Sequence, residues 1–417
     1  MTQRDGSWLA TWLASLKKTE GRSRVYLPQQ EADEDCRRPA GKPITDANLG
    51  VLLTPRALGG HEVALLGWLA DARRQVGLRP AIVAPGADLA QALARAGLAD
   101  CRWPPHPAQA EAAAGSRAQV LAALWQWPAD KPLLLAPGAL HTAAWLLAAA
   151  LVLGKRVWVY VPNTHTARQM QWSLGPWRDA GLAPWLRRVE GWITVHPRHA
   201  QGLSQAWRVP APVHVLPNLP RLAGAAPCWP APSADGRLRV VFVGRFDLWT
   251  KGLDWLIDNL LKDPAWTRSC HWRFQGQGPG AAALHAAAQA LGQQNLTIDG
   301  HAPIDQALAC SDVLLLCSRF EGVPLVALEA TARGWPVVAS RESGVADLLP
   351  AASLFDFGDS AGMRQALFGL LAPGARQAAV AHARAQVACH NSPQDYERAL
   401  ATVCRSMLAA PGGVLAC

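Results

Sequence analysis

Several features are missing from this chain, and each absence closes off a class of function. The nine cysteines, scattered from Cys36 to Cys417, contain no Cys-x-x-Cys pair. An odd, dispersed set of this kind reads as reduced thiols in a reducing compartment, and no zinc site is expected from it. The first residues are polar and mix acids with bases, so no secretory leader is expected. No unbroken apolar stretch reaches the roughly 20 residues that a membrane span requires. The nearest, Leu133 to Leu153, carries Pro137-Gly138 and His141 in its first half and reads as a strand, a loop and a buried helix. No short-period repeat appears. Half the 417 residues are hydrophobic, so disorder is not indicated.

A chain of 417 residues exceeds the usual single domain and favours two domains of about 200 residues. The net charge of +9 is unevenly placed. Residues 1–225 hold 25 Lys and Arg against 15 Asp and Glu, a net +10, and residues 226–417 hold 15 against 16, a net −1. A basic first half fits an acidic membrane surface, an anionic acceptor or plain solubility. It also admits nucleic acid, but no nucleic-acid-binding motif is present, and no such partner is expected.

Residues 1–48 read as an N-terminal extension. Trp8, Leu9, Trp12, Leu13 and Leu16 share one helical face followed by Lys17-Lys18, which fits an interfacial helix or one packed on its own protein. From residue 49, apolar strands alternate with helices through residue 220, and a second alternating run occupies residues 238–391. A Pro-, Ala- and Gly-rich stretch at 221–237 links them. The segment 392–417 reads as a C-terminal helix that packs back on the first domain. The expected fold class is therefore α/β, with two parallel sheets covered on both faces.

In open parallel sheets, ligands bind beyond the strand C-termini. In the second run those ends carry Gly244-Arg245 with Lys251-Gly252, Gly276-Gln277-Gly278-Pro279, Gly300-His301, Glu321-Gly322-Val323-Pro324 and Ser343-Gly344. Glycine at nearly every end lets a ligand approach the backbone. Arg245 and Lys251 suit a diphosphate. Glu321 and Glu329 stand eight positions apart between two apolar runs. A helix opening with Pro324 as its first residue would aim the N–H groups of Val323, Leu325 and Val326 at an anion. Glu329 would lie roughly 7–8 Å along that helix. Taken alone, the two acids fit a general acid and base, or a cap and a structural ion pair.

The order of these elements resembles the retaining glycosyltransferases of family 4 (glycosyl transferases group 1), which have the GT-B fold. In that fold, two Rossmann-like domains face a central cleft. The marks are VGRFDLWTKGLD, QGQGPG, SDVLLLCSRFEGVPLVALEA and PVVASRESGVADLL, with weaker ones in TPRALGGHEVALLGWLADA, YVPNTHT and VHVLPN. The resemblance implies that Arg245 and Lys251 hold the donor diphosphate and that Glu321 contacts hydroxyls of the donor sugar. The backbone of Gly322, Val323, Pro324 and Leu325 would cradle sugar and phosphate, and Glu329 would accept from the ribose hydroxyls. Gly59-Gly60 resembles the first-domain loop that approaches the diphosphate, and His165 the histidine that lines the reaction centre. Gly244, Gly278, Gly300 and His301 complete the expected donor site. Asn218 is expected to shape the turn between domains. Two departures stand out: the extension before residue 49, and Gln277 where the family often has an acid.

The resemblance implies a cytoplasmic enzyme, a UDP- or GDP-sugar donor, and a glycan or lipid-linked acceptor in cell-surface polysaccharide or glycolipid synthesis. No Asp-x-Asp follows a strand, so no metal or other cofactor is expected. The first half holds 13 of the 19 Trp. Trp172, Trp177 and Trp185 run beside Arg178, Arg187 and Arg188, which fits either reversible contact with an anionic membrane or plain core packing. Rival readings are a nucleotide-sugar epimerase of the same fold and a non-catalytic nucleotide-sugar or polysaccharide-binding protein.

Overall fold

The computed structural model describes residues 46–53, 59–83, 87–103, 117–220, 229–231, 233–292 and 295–409. The amphipathic segment with Trp8 and Trp12, and most of the linker, lie outside the described residues.

The first half runs β1 (Leu49–Leu52), α1 (Gly60–Val76), β2 (Pro80–Val83), α2 (Ala87–Arg95), α3 (Arg117–Gln126), β3 (Pro132–Leu135), α4 (Ala144–Val152), β4 (Arg156–Tyr160), α5 (Gly175–Leu186), β5 (Gly191–Thr194), α6 (Pro197–Gln205) and β6 (Val213–Val215). The second half runs β7 (Leu238–Val243), α7 (Leu253–Lys262), α8 (Pro264–Thr267), β8 (Cys270–Gln275), α9 (Ala281–Leu291), β9 (Leu296–Asp299), α10 (Ile304–Ala309), β10 (Val313–Leu316), α11 (Leu325–Ala332), β11 (Val337–Ser340), β12 (Leu354–Phe355), α12 (Ser360–Gly369), α13 (Ala375–His390) and α14 (Pro393–Leu408).

The strands form two six-stranded sheets, ordered β2-β1-β3-β4-β5-β6 and β12-β11-β10-β7-β8-β9. Neighbouring strands are parallel; Val313 stands opposite Val240, and Leu314 opposite Val337. β1, β3 and β10 are buried at every position, which is why they read as unbroken apolar runs. Strand order reverses between β1 and β3 in the first sheet and between β7 and β10 in the second. Those reversals are where an open parallel sheet leaves a crevice for ligand.

Three buried clusters hold the fold. One joins the halves: α1 supplies Leu65, Trp68 and Leu69, α11 supplies Leu328, and α14 supplies Tyr396, Leu400 and Met407. Tyr396 also donates from its hydroxyl to Asp71 at 2.7 Å, fastening α14 to α1. A second cluster lies under α3, α4 and α5, and a third under α7, α9 and α12.

One local expectation is corrected. Pro324 is not the first helical residue. It is the extended N-cap of α11 (φ −67°, ψ 125°), and the helix begins at Leu325. Glu329 is therefore only four residues, about 6 Å, from the first helical residue. The tight glycine turns of the second half also serve the protein's own packing. A Cβ on Gly276 would stand 1.9 Å from the carbonyl oxygen of Gly244, so this glycine lets two strand-end turns touch each other.

Candidate functional site

The reversal between β7 and β10 brings together Lys251, from the turn after β7, and Glu321, from the turn after β10. Their side chains form an ion pair through Nζ and Oε1. The Ser318 hydroxyl donates to the other carboxylate oxygen of Glu321 at 3.2 Å. The family resemblance implies contacts with separate parts of a ligand for these two residues; here they pair with each other. Burial, together with the neighbouring Arg245 guanidinium, pulls the Lys251 ammonium down to about 8, against the pull of Asp247. Arg245 itself is exposed and carries no ion pair among the described residues. The site thus brings two cations, Lys251 and Arg245, beside two carboxylates, Glu321 and Asp247, next to the start of α11.

A residue that sequence reasoning missed holds this arrangement in place. Arg319 donates from its backbone N–H to Thr250 at 2.9 Å and from its guanidinium to the Trp249 carbonyl and Asp254, both at 2.6 Å. Its guanidinium carbon lies 3.9 Å from the Trp249 ring centre and 4.5 Å from that of Phe357. The loop carrying Lys251 is therefore clamped to the loop carrying Glu321. A cation two residues before Glu321 was the only signal in the sequence, and it does not reveal partners about 40–70 positions away.

The mouth of α11 faces the first half. A Cβ on Gly60 would meet Leu325 Cδ1 at 3.8 Å, so the glycine pair at the start of α1 lies against the first residue of α11. The Gly59 N–H donates to Glu62 at 2.8 Å, part of a capping box. Gly322 touches the first half still more closely, since a Cβ there would stand 2.5 Å from the Pro162 carbonyl oxygen. Asn218 donates to the Val323 carbonyl at 2.9 Å, and its own carbonyl accepts from Asn391 at 2.7 Å, as suits a residue shaping the turn between halves.

His165 follows β4 and stands at this seam. Its ring packs edge-on against Phe320, centres 5.2 Å apart, and against His199 at 6.0 Å. Its backbone N–H donates to the Asn163 side chain at 3.0 Å. Burial lowers the His165 pKa, which favours the neutral imidazole. His199 is lowered further, to about 4, by burial and by the nearby His165 and His196, with a hydrogen bond to the Gly322 backbone opposing.

The remaining expected residues are less gathered. Glu329 is half-buried on α11, and its backbone carbonyl accepts from Arg333. Gly300 and His301 are exposed at the end of β9, an edge strand two places from β7, roughly 10 Å across the sheet. Gly244 and Gly278 pack on Phe242 and Phe246.

Residues 237–373 match the family model for Glycosyl transferases group 1. Among solved structures, Anabaena HepE in complex with UDP-glucose is similar, with a TM-score of 0.64 and 17% identity over 86% of this chain and 99% of that one. The sucrose-phosphate synthase of Thermosynechococcus elongatus gives 0.59 and 16% over 87% and 99%. A UDP-forming trehalose-phosphate synthase from Burkholderia xenovorans gives 0.58 and 14% over 87% and 99%. The comparison with curated proteins returned no match. At these identities the solved structures speak for the fold, and the family match speaks for the half that carries Lys251 and Glu321. Two parallel six-stranded sheets thus give the chain the GT-B fold of these neighbours, and residues 237–373 carry a glycosyl transferases group 1 domain.

Proposed function

We propose that the chain is a retaining, metal-independent glycosyltransferase of family 4 that moves a sugar from a UDP-sugar to a glycan or lipid-linked acceptor. The reading rests above all on the Lys251–Glu321 pair beside Arg245, set at the mouth of α11. An arriving diphosphate draws the Lys251 ammonium towards itself. Glu321 is then released to accept from hydroxyls of the donor sugar. The α11 N-terminus, whose first N–H groups have no partner within the helix, adds a third source of positive potential.

As the glycosidic bond to the diphosphate breaks, negative charge grows on the leaving oxygen. Arg245, Lys251 and the helix terminus stand close by to meet it, and stabilisation of developing charge contributes most to such reactions. These cations do the work that a bound divalent metal would otherwise do. The acceptor hydroxyl attacks from the face the diphosphate leaves, and a leaving-group oxygen takes its proton, so the anomeric configuration is kept. Glu329 accepts from the ribose hydroxyls. Neutral His165 lines the acceptor side and offers a hydrogen bond without competing for the phosphate.

A uridine donor is favoured over a guanosine one because structural neighbours hold UDP-glucose or UDP. The basic first half favours an acceptor that is anionic or lipid-linked. It also favours a place at the cytoplasmic face of the membrane, in surface polysaccharide or glycolipid synthesis.

A thermal-shift panel of nucleoside diphosphates and nucleotide sugars tests the reading, because a ligand that binds the native state raises its stability by mass action. UDP and UDP-sugars should raise the melting temperature most, with or without EDTA. No shift with any nucleotide would sink the donor assignment, and a shift abolished by EDTA would sink the metal-independent mechanism. An epimerised sugar formed from donor alone would replace transfer by epimerisation.

A further inference from the structure

Six large apolar side chains of the first half are exposed among the described residues: Val76, Leu121, Trp125, Val152, Leu174 and Trp177. Five of them lie on or beside α3, α4 and α5. These helices share one buried cluster and so cover one face of the first sheet, the face opposite the one that packs towards the second half. Trp125 and Trp177 are 73% and 77% exposed, and Val152 and Leu174 are 70% and 69% exposed. Indole rings this free contribute nothing to the core beneath them. Trp125 and Val152 belong to one neighbourhood: the Lys155 ammonium, three residues past Val152, donates to the Trp125 carbonyl at 3.4 Å.

The surface charge along residues 120–212 is mostly positive. Between residues 120 and 212 the exposed cations are Arg168, Arg178, Arg187, Arg188, Arg198 and Arg208, and the only exposed acid among the described residues is Asp130. Arg198 pairs with Asp347 of the second half; the other five arginines enter no ion pair among the described residues. Arg178 and Arg188 lie over Trp172 and Trp185 with ring distances of 5.9 and 5.8 Å. Arg187 and Arg188 follow α5, at the same edge of the sheet as Trp125 and Val152. Arg168 and Arg178 flank Leu174 and Trp177 at the other end of α5. Exposed Trp and Leu interspersed with unpaired Arg is what the interface of an anionic bilayer selects: indole seats at headgroup depth and guanidinium reaches phosphate. No helix among the described residues is long and apolar enough to cross a membrane, so the contact is with one leaflet.

We propose that the outer face of α3, α4 and α5 is the surface by which this chain rests on an anionic lipid bilayer. The proposal rests on the membrane-associated reading above and assigns it to named residues. It leaves the cleft open, since the face lies away from the Lys251–Glu321 site, and Leu174 and Trp177 stand at the strand-C-terminal end of the first sheet. A lipid-linked acceptor held in that leaflet would reach the cleft past this edge.

The test is co-sedimentation of the full chain with vesicles of phosphatidylglycerol in phosphatidylcholine, and of phosphatidylcholine alone, at low and high salt. The wild type should bind the anionic vesicles at low salt and be released by high salt. The pair W125A/W177A and the pair R187E/R188E should each lower partitioning about tenfold or more, since the apolar and the charged contributions both count. The pair W8D/W12D, in the N-terminal extension, should leave it unchanged. The melting-temperature rise with UDP should persist in all three variants, which separates loss of the surface from loss of the fold or of donor binding. Wild type that ignores anionic vesicles overturns both this proposal and the membrane reading. Wild-type binding that survives both surface pairs, or is lost only in W8D/W12D, overturns the surface alone. Dimerisation abolished by W125A/W177A without vesicle binding would assign the face to a second copy of the chain.

Discussion

The second sheet gathers charged residues at its strand ends: Gly244-Arg245, Lys251, Glu321 and Gly322 lie in the loops after β7 and β10. In the first sheet the chain after β1 and β4 places a glycine pair and a histidine at the seam. That half spends its distinctive residues elsewhere, with buried indoles inward and exposed indoles and arginines outward. All six histidines whose pKa burial depresses, His61, His141, His165, His196, His199 and His214, also lie in the first half. One half thus keeps its charged groups at a cleft ready for an anion. The other holds these histidines where burial favours their neutral form. The contrast shows how two similar sheets divide the work: one supplies fixed charge, the other supplies a wall and a surface.

The sharpest way to break this contrast is Lys251→Ala. If the second half carries the charge stabilisation, kcat should fall about 10²–10³-fold, the usual cost of removing a preorganised group that meets developing charge. Circular dichroism should stay native, and unchanged turnover would take Lys251 out of the site. Next in size is acid sensitivity, which belongs to the first half. The folded pKa of His199, about 4, lies below its unfolded value near 6.5. Its contribution is therefore fully present above pH 6.5 and is lost as pH falls towards 4. For His199 alone this amounts to about 3 kcal/mol. Melting temperatures from pH 8 to 4 should drop most steeply below 6.5, and His199→Asn should flatten the slope; an unaltered slope would contradict the assignment.

Gly322→Ala strikes where the halves meet. A methyl group 2.5 Å from the Pro162 carbonyl has to push the seam apart, at a cost of about 1–3 kcal/mol. Urea unfolding should show that loss, and donor binding should weaken with it. Glu329→Gln is milder. It should weaken UDP-sugar binding about tenfold while leaving kcat near wild type, equal to about 1.4 kcal/mol. Isothermal titration with wild-type affinity would remove the ribose role.

The order of elements was legible because both sheets are parallel and buried on both faces, so each strand shows as a compact apolar run such as Val313–Leu316. The glycine-bearing turns after β7, β8 and β10 were legible because each is a short contiguous motif with special residues at special places. Pro324 was read one position too far into the helix because proline suits both the N-cap and the first helical residue, and only the observed ψ of 125° tells them apart. Arg319 was invisible as a clamp because its partners, Trp249, Asp254 and Phe357, are distant in sequence and meet it only when β7, β10 and β12 are assembled in one sheet. The tryptophans of the first half could not be sorted by pattern either. Trp127, Trp158, Trp192 and Trp207 are core, whereas Trp125, two residues before Trp127, is almost bare.

The sequence by itself determined that this is a two-sheet α/β chain with cations and carboxylates at strand ends, because strand burial and turn chemistry are local and leave a local trace. Only the tertiary structure decided that Lys251 and Glu321 neutralise each other, that Gly322 presses on Pro162, and which indoles face water. Each of those is a distance between residues far apart in the chain, set by strand order and helix packing, and no local pattern of residues encodes it.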